Sequence, residues 1–266
     1  MNHKVSVHMP VARLDHFLVD TLHSIQDQTF KDFEVIFVID EKDAEKLKVL
    51  IDEECTFSYK IIATKLGGVA FAANLAIANT DSELIARWDS DDLCDPIRLE
   101  AQVKEFDQDL ALGVLGTRVK IVDEYGVENL HHPYPFYQDN ATIRKTLKYR
   151  TPILHSSMMI KSELMFRNKG YLYGHTSEDS ELLMRVARDQ SIVFRNLDNV
   201  TTYYRRHQSQ LSNKSYIKTH FYERASFLFG EFLRTFNPIY VVAILANHPI
   251  ARNIRHYRRV LAERFK

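Results

Sequence analysis

The chain has few of the residues that mark disulfide-rich, low-complexity or membrane-spanning proteins. Only two of its 266 residues are cysteines, Cys55 and Cys94, which cannot form a disulfide framework, so a reducing compartment is expected. Its 8 glycines and 7 prolines form no low-complexity linker. No secretory apolar stretch opens the sequence, and the longest apolar run near its C-terminus, 239–246, is far below the roughly 20 residues that span a bilayer. These absences predict a soluble or peripheral protein.

An excess of charge of either sign is also absent. The 35 basic and 35 acidic residues give a formal net charge of zero, so a protein that holds nucleic acid through a strong basic field is not expected. The sequence lacks both the Gly-x-x-x-x-Gly-Lys phosphate loop and the Gly-x-Gly-x-x-Gly dinucleotide signature. A small anionic ligand that is held locally remains compatible with this composition.

Apolar runs of strand length alternate with helical spacing in the first half of the chain. Strands are predicted at 5–7, 33–39, 59–63 and 83–88, with helices between them. Near-continuous apolar strands of this kind are typical of a mostly parallel sheet that is covered by helices on both faces. Ligands bind such sheets at the carboxyl ends of the strands. The acidic segment 89–92 follows one strand directly and is therefore expected at the ligand-binding edge.

The second half of the chain is less regular. Strands are predicted at 114–122, 155–160, 192–197 and 200–205, and the pattern is helical from residue 216 onward. Helix starts are predicted at Pro96 with Asp95 as the cap, at a cap on Asn140, and at a cap on Thr176 or Ser177.

Three carboxylates crowd into four residues at Asp89, Asp91 and Asp92. Like charges this close are unfavourable unless a cation neutralises them. Magnesium typically takes one or two carboxylates together with phosphate oxygens, so an Asp-x-Asp at a strand end suits a metal–diphosphate site. The residues alone leave a solvated acidic turn before a helix equally open.

Two further groups are candidates for chemistry. Glu178 and Asp179 stand where a helix is predicted to begin, and a helix N-terminus stabilises an ionised carboxylate that can accept a proton. Arg205 and His207 follow a predicted strand, where they are suited to hold diphosphate oxygens or a metal. When each group is considered alone, an alternative stays open. Glu178 and Asp179 could simply cap the helix, and Arg205 and His207 could belong to a solvated basic turn.

Ordered motifs extend over most of the chain, from residue 4 to about residue 212. They are Val5-Ser6-Val7-His8-Met9-Pro10-Val11; Leu22-x-x-Ile25-x-x-Gln28-Thr29-Phe30-x-x-Phe33-Glu34-Val35; 68–74; Asp89-Ser90-Asp91-Asp92 with Pro96, Arg98, Leu99 and Gln102; His155-x-Ser157-x-Met159; Glu178-Asp179-x-x-Leu182-x-x-Arg185; and Tyr204-Arg205-x-His207-x-x-Gln210-x-Ser212. In this order they resemble glycosyltransferase family 2, inverting enzymes with the GT-A fold, of the bacterial surface-polysaccharide type. The resemblance implies an α/β GT-A-like nucleotide-binding sandwich with a mostly parallel central sheet and a helical C-terminal appendage.

The resemblance also implies a role for each matched carboxylate. Asp91 would ligate a divalent metal, Mn²⁺ or Mg²⁺, that bridges the donor diphosphate, and Asp89 would contact the metal or the ribose. Asp179 would be the catalytic base that deprotonates the acceptor hydroxyl. With Asp91 at the metal, these residues form the expected catalytic centre.

Further donor contacts are implied around this centre. Pro10 and Val11 would line the pocket for the base and ribose, and Arg205 and His207 would help to stabilise the departing diphosphate. The aspartate with which the family binds uracil is replaced by Ile39, and Asp40 stands next to it. The resemblance favours a UDP-sugar donor, with Asp40 or another contact in the base-binding role, and weaker discrimination between bases is expected.

Departures from the family pattern limit the expected activity. The Gln-x-x-Arg-Trp motif of processive members is missing, since the only tryptophan is Trp88. Transfer of one sugar per encounter is expected, to a glycan or lipid-linked acceptor in a bacterial cytoplasm. Two other functions stay open: a nucleotidyltransferase, and a non-catalytic scaffold that kept the fold.

The resemblance divides the chain into a GT-A domain at 1–212 and an appendage at 213–266. Within the domain, 1–118 would form the donor and metal half and 119–212 the acceptor half. The last 15 residues contain one acid, Glu263, and six basic residues: Arg252, Arg255, Arg258, Arg259, Arg264 and Lys266. This tail predicts a peripheral contact with anionic lipid at the inner membrane, and a contact between copies in a homo-oligomer is the alternative.

Overall fold

The computed structural model describes residues 3–128, 134–172, 176–208, 210 and 216–251, with side chains from residue 219 onward in the last range. The strands in this part are β1 (Val5–Val11), β2 (Phe33–Asp40), β3 (Ser58–Thr64), β4 (Leu84–Arg87), β5 (Leu93–Cys94), β6 (Leu112–Val122), β7 (Met159–Lys161) and β8 (Val193–Arg205). The α-helices are α1 (His16–Gln26), α2 (Ala44–Glu54), α3 (Val69–Ala78), α4 (Arg98–Gln108), α5 (Asn140–Leu147), α6 (Ser162–Arg167), α7 (Glu178–Val186), α8 (Tyr216–Thr235) and α9 (Ile239–Asn247).

All eight of these strands belong to one sheet, in the order β3-β2-β1-β4-β7-β6-β8-β5. Pairing is parallel among β3, β2, β1 and β4 and again between β6 and β8, whereas β7 and β5 run antiparallel to their neighbours. The prediction of a mostly parallel sheet is confirmed. The expected donor half and acceptor half share this sheet, and the boundary between them stays a prediction.

Alternating side chains of β4 show how the sheet is covered. Leu84 and Ala86 face a core that includes α1, α2 and α4, while Ile85 faces a second core that includes α3, α5 and α7. Because successive side chains of a strand point to opposite faces, buried apolar residues on both faces require a helical layer on each side. The layers leave the carboxyl ends of the strands as the open edge.

Several element boundaries differ from the sequence-based expectation. Residues 155–157 form a 3₁₀ turn, not a strand, because the backbone N–H of Ser157 and the hydroxyl of the same residue both donate to the carbonyl of Leu154. Asp139, not Asn140, caps α5, since the Asp139 carboxylate accepts from the backbone N–H of Thr142. The two strands expected at 192–197 and 200–205 form the single β8, whose pairing with β6 shifts register at residue 118.

Two helix starts also need correction. The α4 helix begins at Arg98, and the Asp95 carboxylate accepts from the N–H of Ile97 in the turn before it. Ser177 precedes α7 but makes no side-chain cap, since its hydroxyl is bonded instead to Nδ1 of His220. At α7, a tertiary contact has therefore taken over the hydroxyl that a local cap would use.

The expected C-terminal appendage is helical in its described part, which comprises α8 and α9. The two helices pack on each other, with the rings of Phe221 and His248 5.1 Å apart, and Asn247 donates to the carbonyl of Lys148. Within the described residues, every helix is too short or too polar to cross a bilayer. The basic tail at 252–266 lies outside the described residues.

Candidate active site

The acidic segment lies where the sheet opens. The backbone of β4 is hydrogen-bonded on both sides up to residue 88, with Trp88 donating to the carbonyl of His8 and Arg87 donating to that of Met158. The chain then turns, and the N–H of Asp92 donates to the carbonyl of Asp89. The carboxylates of this turn thus stand at the carboxyl edge, as the sequence predicted.

Asp91 contacts His207 from the distant end of β8. The Asp91 Oδ2 atom lies 3.0 Å from His207 Nε2, and the imidazole packs on Phe17 with the ring centroids 4.4 Å apart. Burial, followed by the neighbouring charge of Asp89, raises the pKa of Asp91. The structure therefore brings together two of the predicted site residues that are 116 positions apart in the chain. Their contact pairs a carboxylate oxygen with an imidazole nitrogen.

Asp89 is held by a buried arginine. Its Oδ1 atom lies 2.7 Å from an Nη atom of Arg87, a residue that is 3% exposed. The same guanidinium donates to the carbonyls of His8 and Trp88, so it is tied to β1 and to its own strand. Arg87 fixes the position of the Asp89 carboxylate and offsets part of the negative charge of the turn.

Asp92 serves the fold and is completely buried. Its carboxylate accepts from the hydroxyl of Ser156 and, at 2.9 Å, from the backbone N–H of Arg205. Burial raises the pKa of Asp92 well above the usual range. The third carboxylate of the motif joins the end of β4 to the end of β8 and to the 3₁₀ turn.

The donor atoms near Asp91 fit a metal that shares its coordination with a ligand. The residues that the structure describes contain no group of three or more His, Cys, Asp or Glu side chains able to hold a metal ion. The pair of Asp91 and His207 supplies one oxygen and one nitrogen donor. A divalent ion that completes its shell with phosphate oxygens and water needs only one or two protein ligands. The residues present fit such an ion.

The second pair of carboxylates begins α7. Asp179 is partly buried and accepts from the N–H of Ser180 at 2.6 Å. Glu178 is buried, and in the described part of the chain its Oε2 atom has no hydrogen-bond partner. Burial, followed by the charge of Asp179, raises the pKa of Glu178 from 4.5 to about 7. Burial also raises the pKa of Asp179, whereas Ser180 and the positive charge of Arg224 lower it.

Helix α8 holds the residues on either side of this pair. Glu223 accepts from both the backbone N–H and the hydroxyl of Thr176, at 3.1 and 2.9 Å. Arg224 donates to the hydroxyl of Ser180 at 2.7 Å and to the carbonyl of Leu147 at 2.8 Å. The start of α7 is therefore positioned by a helix about 40 residues further along the chain.

An aromatic and imidazole pair lies beside Glu178. His155 Nε2 is 2.7 Å from the hydroxyl of Tyr171, and His155 Nδ1 is 4.0 Å from Glu178. Burial, helped by the charge of Arg87, holds the pKa of His155 well below its usual value, so the imidazole is neutral. Two reciprocal hydrogen bonds between Asn74 and the backbone of Tyr171 fix this side of the site to α3.

The residues expected at the nucleoside lie together on the same edge of the sheet. Val11 pairs with Ile39 at the ends of β1 and β2, and Pro10 precedes it. Ile39 is 3% exposed and belongs to the core. The Asp40 side chain is half exposed, accepts from the N–H of Lys42 and lies 3.4 Å from the ammonium group of that residue. Asp40 therefore presents an exposed carboxylate at this edge, whereas the side chain of Ile39 has no group that forms hydrogen bonds.

Arg205 occupies a different environment from the one expected for a diphosphate ligand. Its side chain is 2% exposed, pairs with Asp20 at 3.0 Å and lies over the ring of Phe17, 4.7 Å from the centroid. These contacts favour a role in holding β8 against α1. Among the residues named for the diphosphate, His207 is the one that the structure brings to Asp91.

Four residues of this site had no role in the sequence-based prediction: Arg87, Tyr171, Glu223 and Arg224. Arg87 precedes the acidic motif by only two residues, and a charged residue inside an otherwise apolar strand was the available signal. The others act through contacts 16 to 77 residues away in sequence. No local pattern marks such residues.

The family assignment follows from comparison with known proteins. Residues 6–169 match the family model described as Glycosyl transferase family 2. The chain belongs to glycosyltransferase family 2. It is 31% identical over 235 residues to the O-antigen biosynthesis glycosyltransferase WbnJ of Escherichia coli, a match covering 86% of this chain and 89% of the relative. The amylovoran biosynthesis glycosyltransferase AmsE of Erwinia amylovora is 25% identical over 171 residues, with 64% and 63% covered.

Solved structures show the same fold. The S. aureus TarS 1–349 complex with UDP-GlcNAc has a TM-score of 0.64 at 16% identity, covering 85% of this chain and 66% of that one. The mannosyltransferase PcManGT from Pyrobaculum calidifontis, in complex with GDP-Man and Mn²⁺, has a TM-score of 0.62 at 15% identity, covering 98% and 81%. These likenesses confirm the GT-A fold, and the family match together with the relatives confirms that the protein is a glycosyltransferase.

Proposed function

We propose that the protein is an inverting, metal-assisted glycosyltransferase that moves one sugar from a nucleoside diphosphate donor to a hydroxyl of a glycan or lipid-linked acceptor. One observation carries the proposal. In the 3₁₀ turn at 155–157, the hydroxyl of Ser156 donates to Asp92 of the strand-end motif, and Nδ1 of the adjacent His155 lies 4.0 Å from Glu178 at the start of α7. A single short turn therefore connects the two groups of carboxylates.

In this proposal the donor half binds the diphosphate. Asp91 and His207 would hold a divalent ion, Mn²⁺ or Mg²⁺, whose positive charge would stabilise the departing diphosphate. Asp89, fixed by Arg87, completes the negative side of that site. Pro10, Val11 and Asp40 line the place of the nucleoside, and Arg205 is left to the structural role that its contacts support.

The acceptor half supplies the base. Asp179 takes the proton of the acceptor hydroxyl, the oxygen forms a bond to the anomeric carbon, and the bond from that carbon to the diphosphate oxygen breaks. The electron pair leaves with the nucleoside diphosphate, and attack from the opposite side inverts the anomeric centre. We favour Asp179 over Glu178 as the base, because the N–H of Ser180 and the charge of Arg224 lower the pKa of Asp179, whereas burial and the charge of Asp179 raise the pKa of Glu178 to about 7.

A nucleotide-sugar panel tests the proposal. The purified protein is incubated with UDP- and GDP-sugars, with and without Mn²⁺, and with a hydroxyl acceptor; nucleoside diphosphate release and the product anomer are measured by NMR. We expect metal-dependent release, an inverted product and thermal stabilisation by the donor. Release of pyrophosphate would identify a nucleotidyltransferase, and the absence of both release and stabilisation would identify a non-catalytic protein.

The nucleobase is expected to be selected weakly. Because Ile39 offers no hydrogen bond to a base edge, one buried base contact is absent, which typically costs about 1 to 3 kcal/mol of discrimination. We expect UDP and GDP to bind within about a hundredfold of each other. An affinity for UDP more than a thousandfold tighter would show that Asp40 or another group has replaced the contact.

A further inference from the structure

A cleft runs along the groove between α7 and α8. Its volume is about 520 Å³, within the roughly 300 to 1,000 Å³ that is usual for small-molecule sites. From α7 it is lined by residues three and four positions apart, including Glu181, Met184 and Arg185, and from α8 by Phe227 and Gly230 at similar spacing. Such spacings place the lining residues of each helix on one face, so the two helices face each other across the cleft.

Gly230 keeps the cleft open. It lies inside the 20-residue helix α8, where glycine is less favourable than alanine. A Cβ atom built on Gly230 would meet no atom of the described residues within 4 Å. Neither the helical backbone nor the packing therefore requires glycine at this position. The glycine leaves open space in the cleft that a larger side chain would fill.

The charged groups of the cleft are bonded within the protein. Arg185 pairs with Glu181, with Nη2 and Oε2 2.7 Å apart. Glu231 pairs with Arg188 and, at 2.6 Å, with Arg234. Both glutamates are buried, and breaking a buried ion pair is strongly unfavourable. A charged ligand would have to compete with these pairs, so the ligand that fits the cleft is electrically neutral.

The same groups retain capacity to form hydrogen bonds with a neutral ligand. A carboxylate has about four lone-pair sites and a guanidinium five N–H donors, more than one ion pair uses. The Arg188 side chain is 44% exposed and can donate from the solvent side. Met184 and Phe227 add apolar surface beside these polar groups. A sugar ring combines hydroxyls around its rim with C–H bonds on its faces, so it matches both kinds of surface.

The cleft is separate from the proposed reacting centre but connected to it. Glu181 and Met184 follow Asp179 by two and five residues, which at 3.6 residues per turn places them roughly on the opposite side of α7. Glu223 also lines the cleft, and it accepts from the hydroxyl of Thr176 shortly before α7. A molecule in the cleft can therefore reach a residue that holds the start of α7.

We propose that the cleft between α7 and α8 binds a neutral saccharide at a site apart from the reacting centre. The paired charges bind its hydroxyl groups, and Met184 and Phe227 contact its C–H face. The proposal rests on the proposed function only for the source of the saccharide, which is a distal unit of the acceptor glycan. Binding itself requires neither donor nor transfer.

Methyl NMR of the full chain tests the binding. Met184 is one of six methionines, and Met9 and Met159 are completely buried in the core. Protein that is ¹³C-labelled at the methionine methyl groups is titrated with methyl glycosides of glucose, galactose and N-acetylglucosamine, with lactose and with chitobiose, without nucleotide or metal. We expect the Met184 resonance, assigned with Met184→Leu, to shift with at least one saccharide while those of Met9 and Met159 stay in place.

Inorganic phosphate serves as the charged probe in the same titration and should leave the Met184 resonance in place. A resonance that moves with none of the saccharides would overturn the proposal. So would a shift with phosphate alone, which would assign the cleft to an anion.

Filling the cleft should abolish the saccharide-dependent shift. Gly230→Trp places a large side chain in the open space, and Ser226→Trp does so from another lining residue of α8. Circular dichroism checks that each variant is folded. The matched control Phe229→Trp changes a neighbouring residue that is 51% exposed and lies outside the lining, and it should bind as the wild type does. A shift that persists in both folded cleft variants would place the saccharide elsewhere and overturn the proposal.

Acceptor kinetics identify the source of the saccharide and separate this proposal from the proposed function. If the cleft holds a distal unit of the acceptor, Gly230→Trp should raise the KM for an oligosaccharide acceptor more than the KM for a single-sugar glycoside. An equal change in both would assign the cleft to a free saccharide. A wild-type protein that shows the Met184 shift but transfers no sugar would refute the proposed function and leave this site intact, and an active protein without the shift would do the reverse.

Discussion

The carboxylates after β4 and the carboxylates at the start of α7 are held in different ways. Asp89 follows β4 and is fixed by Arg87, the last residue of that strand. Asp179 lies at the start of the nine-residue helix α7, and Glu223 and Arg224 of α8 bind Thr176 and Ser180 on either side of it. The proposed donor side is therefore positioned by the sheet, and the proposed base is positioned by α8. The predictions below test that division.

The largest effect is expected on removing the base. Asp179→Asn should lower kcat by roughly 10²- to 10⁴-fold, the usual contribution of a positioned general base. Donor affinity should persist, because the donor side does not depend on this carboxylate. Steady-state kinetics and donor titration calorimetry measure the two quantities. The control Asp189→Asn changes a partly exposed carboxylate after α7, and equal loss in both variants would contradict the assignment.

The reverse pattern is expected on the donor side. Asp91→Asn should weaken Mn²⁺-dependent donor binding by roughly 10²-fold, because a neutral amide is a poor substitute for a charged ligand of a hard cation. Calorimetry with and without Mn²⁺ measures the effect. Asp95→Asn, just after β5, serves as the control. Unchanged metal-dependent binding in Asp91→Asn would show that another group holds the ion.

Glu178, the buried neighbour of the proposed base, should lower the stability of the fold at neutral and alkaline pH. Since burial and then Asp179 raise the pKa of Glu178 from 4.5 to about 7, the folded state binds this proton more tightly than the unfolded chain. Stability therefore falls as the pH rises through that window. Glu178→Gln should raise the free energy of unfolding by roughly 1 to 3 kcal/mol at pH 8 and leave it unchanged below pH 4.

Urea unfolding at the two pH values measures this difference. Transfer activity should survive in Glu178→Gln. A loss as large as that expected for Asp179→Asn would move the role of base to Glu178.

The smallest effect tests the link from α8 to the base. Arg224→Met should lower kcat about tenfold, because the start of α7 loses a hydrogen bond that positions it. The loss of a positive charge also raises the pKa of Asp179, so the acid limb of the kcat profile should move to higher pH. The control Arg188→Met breaks another contact with α8, to Glu231, and should leave that limb in place.

If the acid limb of the kcat–pH profile does not move in Arg224→Met, α8 only stabilises the fold and does not influence the proposed base. Arg224→Lys keeps the charge and loses the forked donor geometry, so the limb should return toward its wild-type position while part of the loss in kcat remains.

Local patterns predicted the donor side well. Buried apolar runs identified the start of β1 and both ends of β2, β3 and β4 to within about one residue, and the rule for parallel sheets predicted Asp89 and Asp91 at the ligand-binding edge. The prediction was wrong at the 3₁₀ turn at 155–157 and at the cap of α5. The hydrogen bonds that form these features are local, from Ser157 to Leu154 and from Thr142 to Asp139. The side chain of Asn140, which was expected to be the cap, instead accepts from the distant backbone N–H of Phe194.

By itself, the sequence determined the family, the α/β layers and the candidate carboxylates, because these depend on periodicity and on residue types at strand ends. Only the tertiary structure decided that His207 reaches Asp91, that Arg205 pairs with Asp20 and Asp92 with the backbone of Arg205, and that Arg224 holds the start of α7. Each of these is a contact between residues more than 40 positions apart. Such contacts depend on how packed helices and strands meet, which no local spacing encodes.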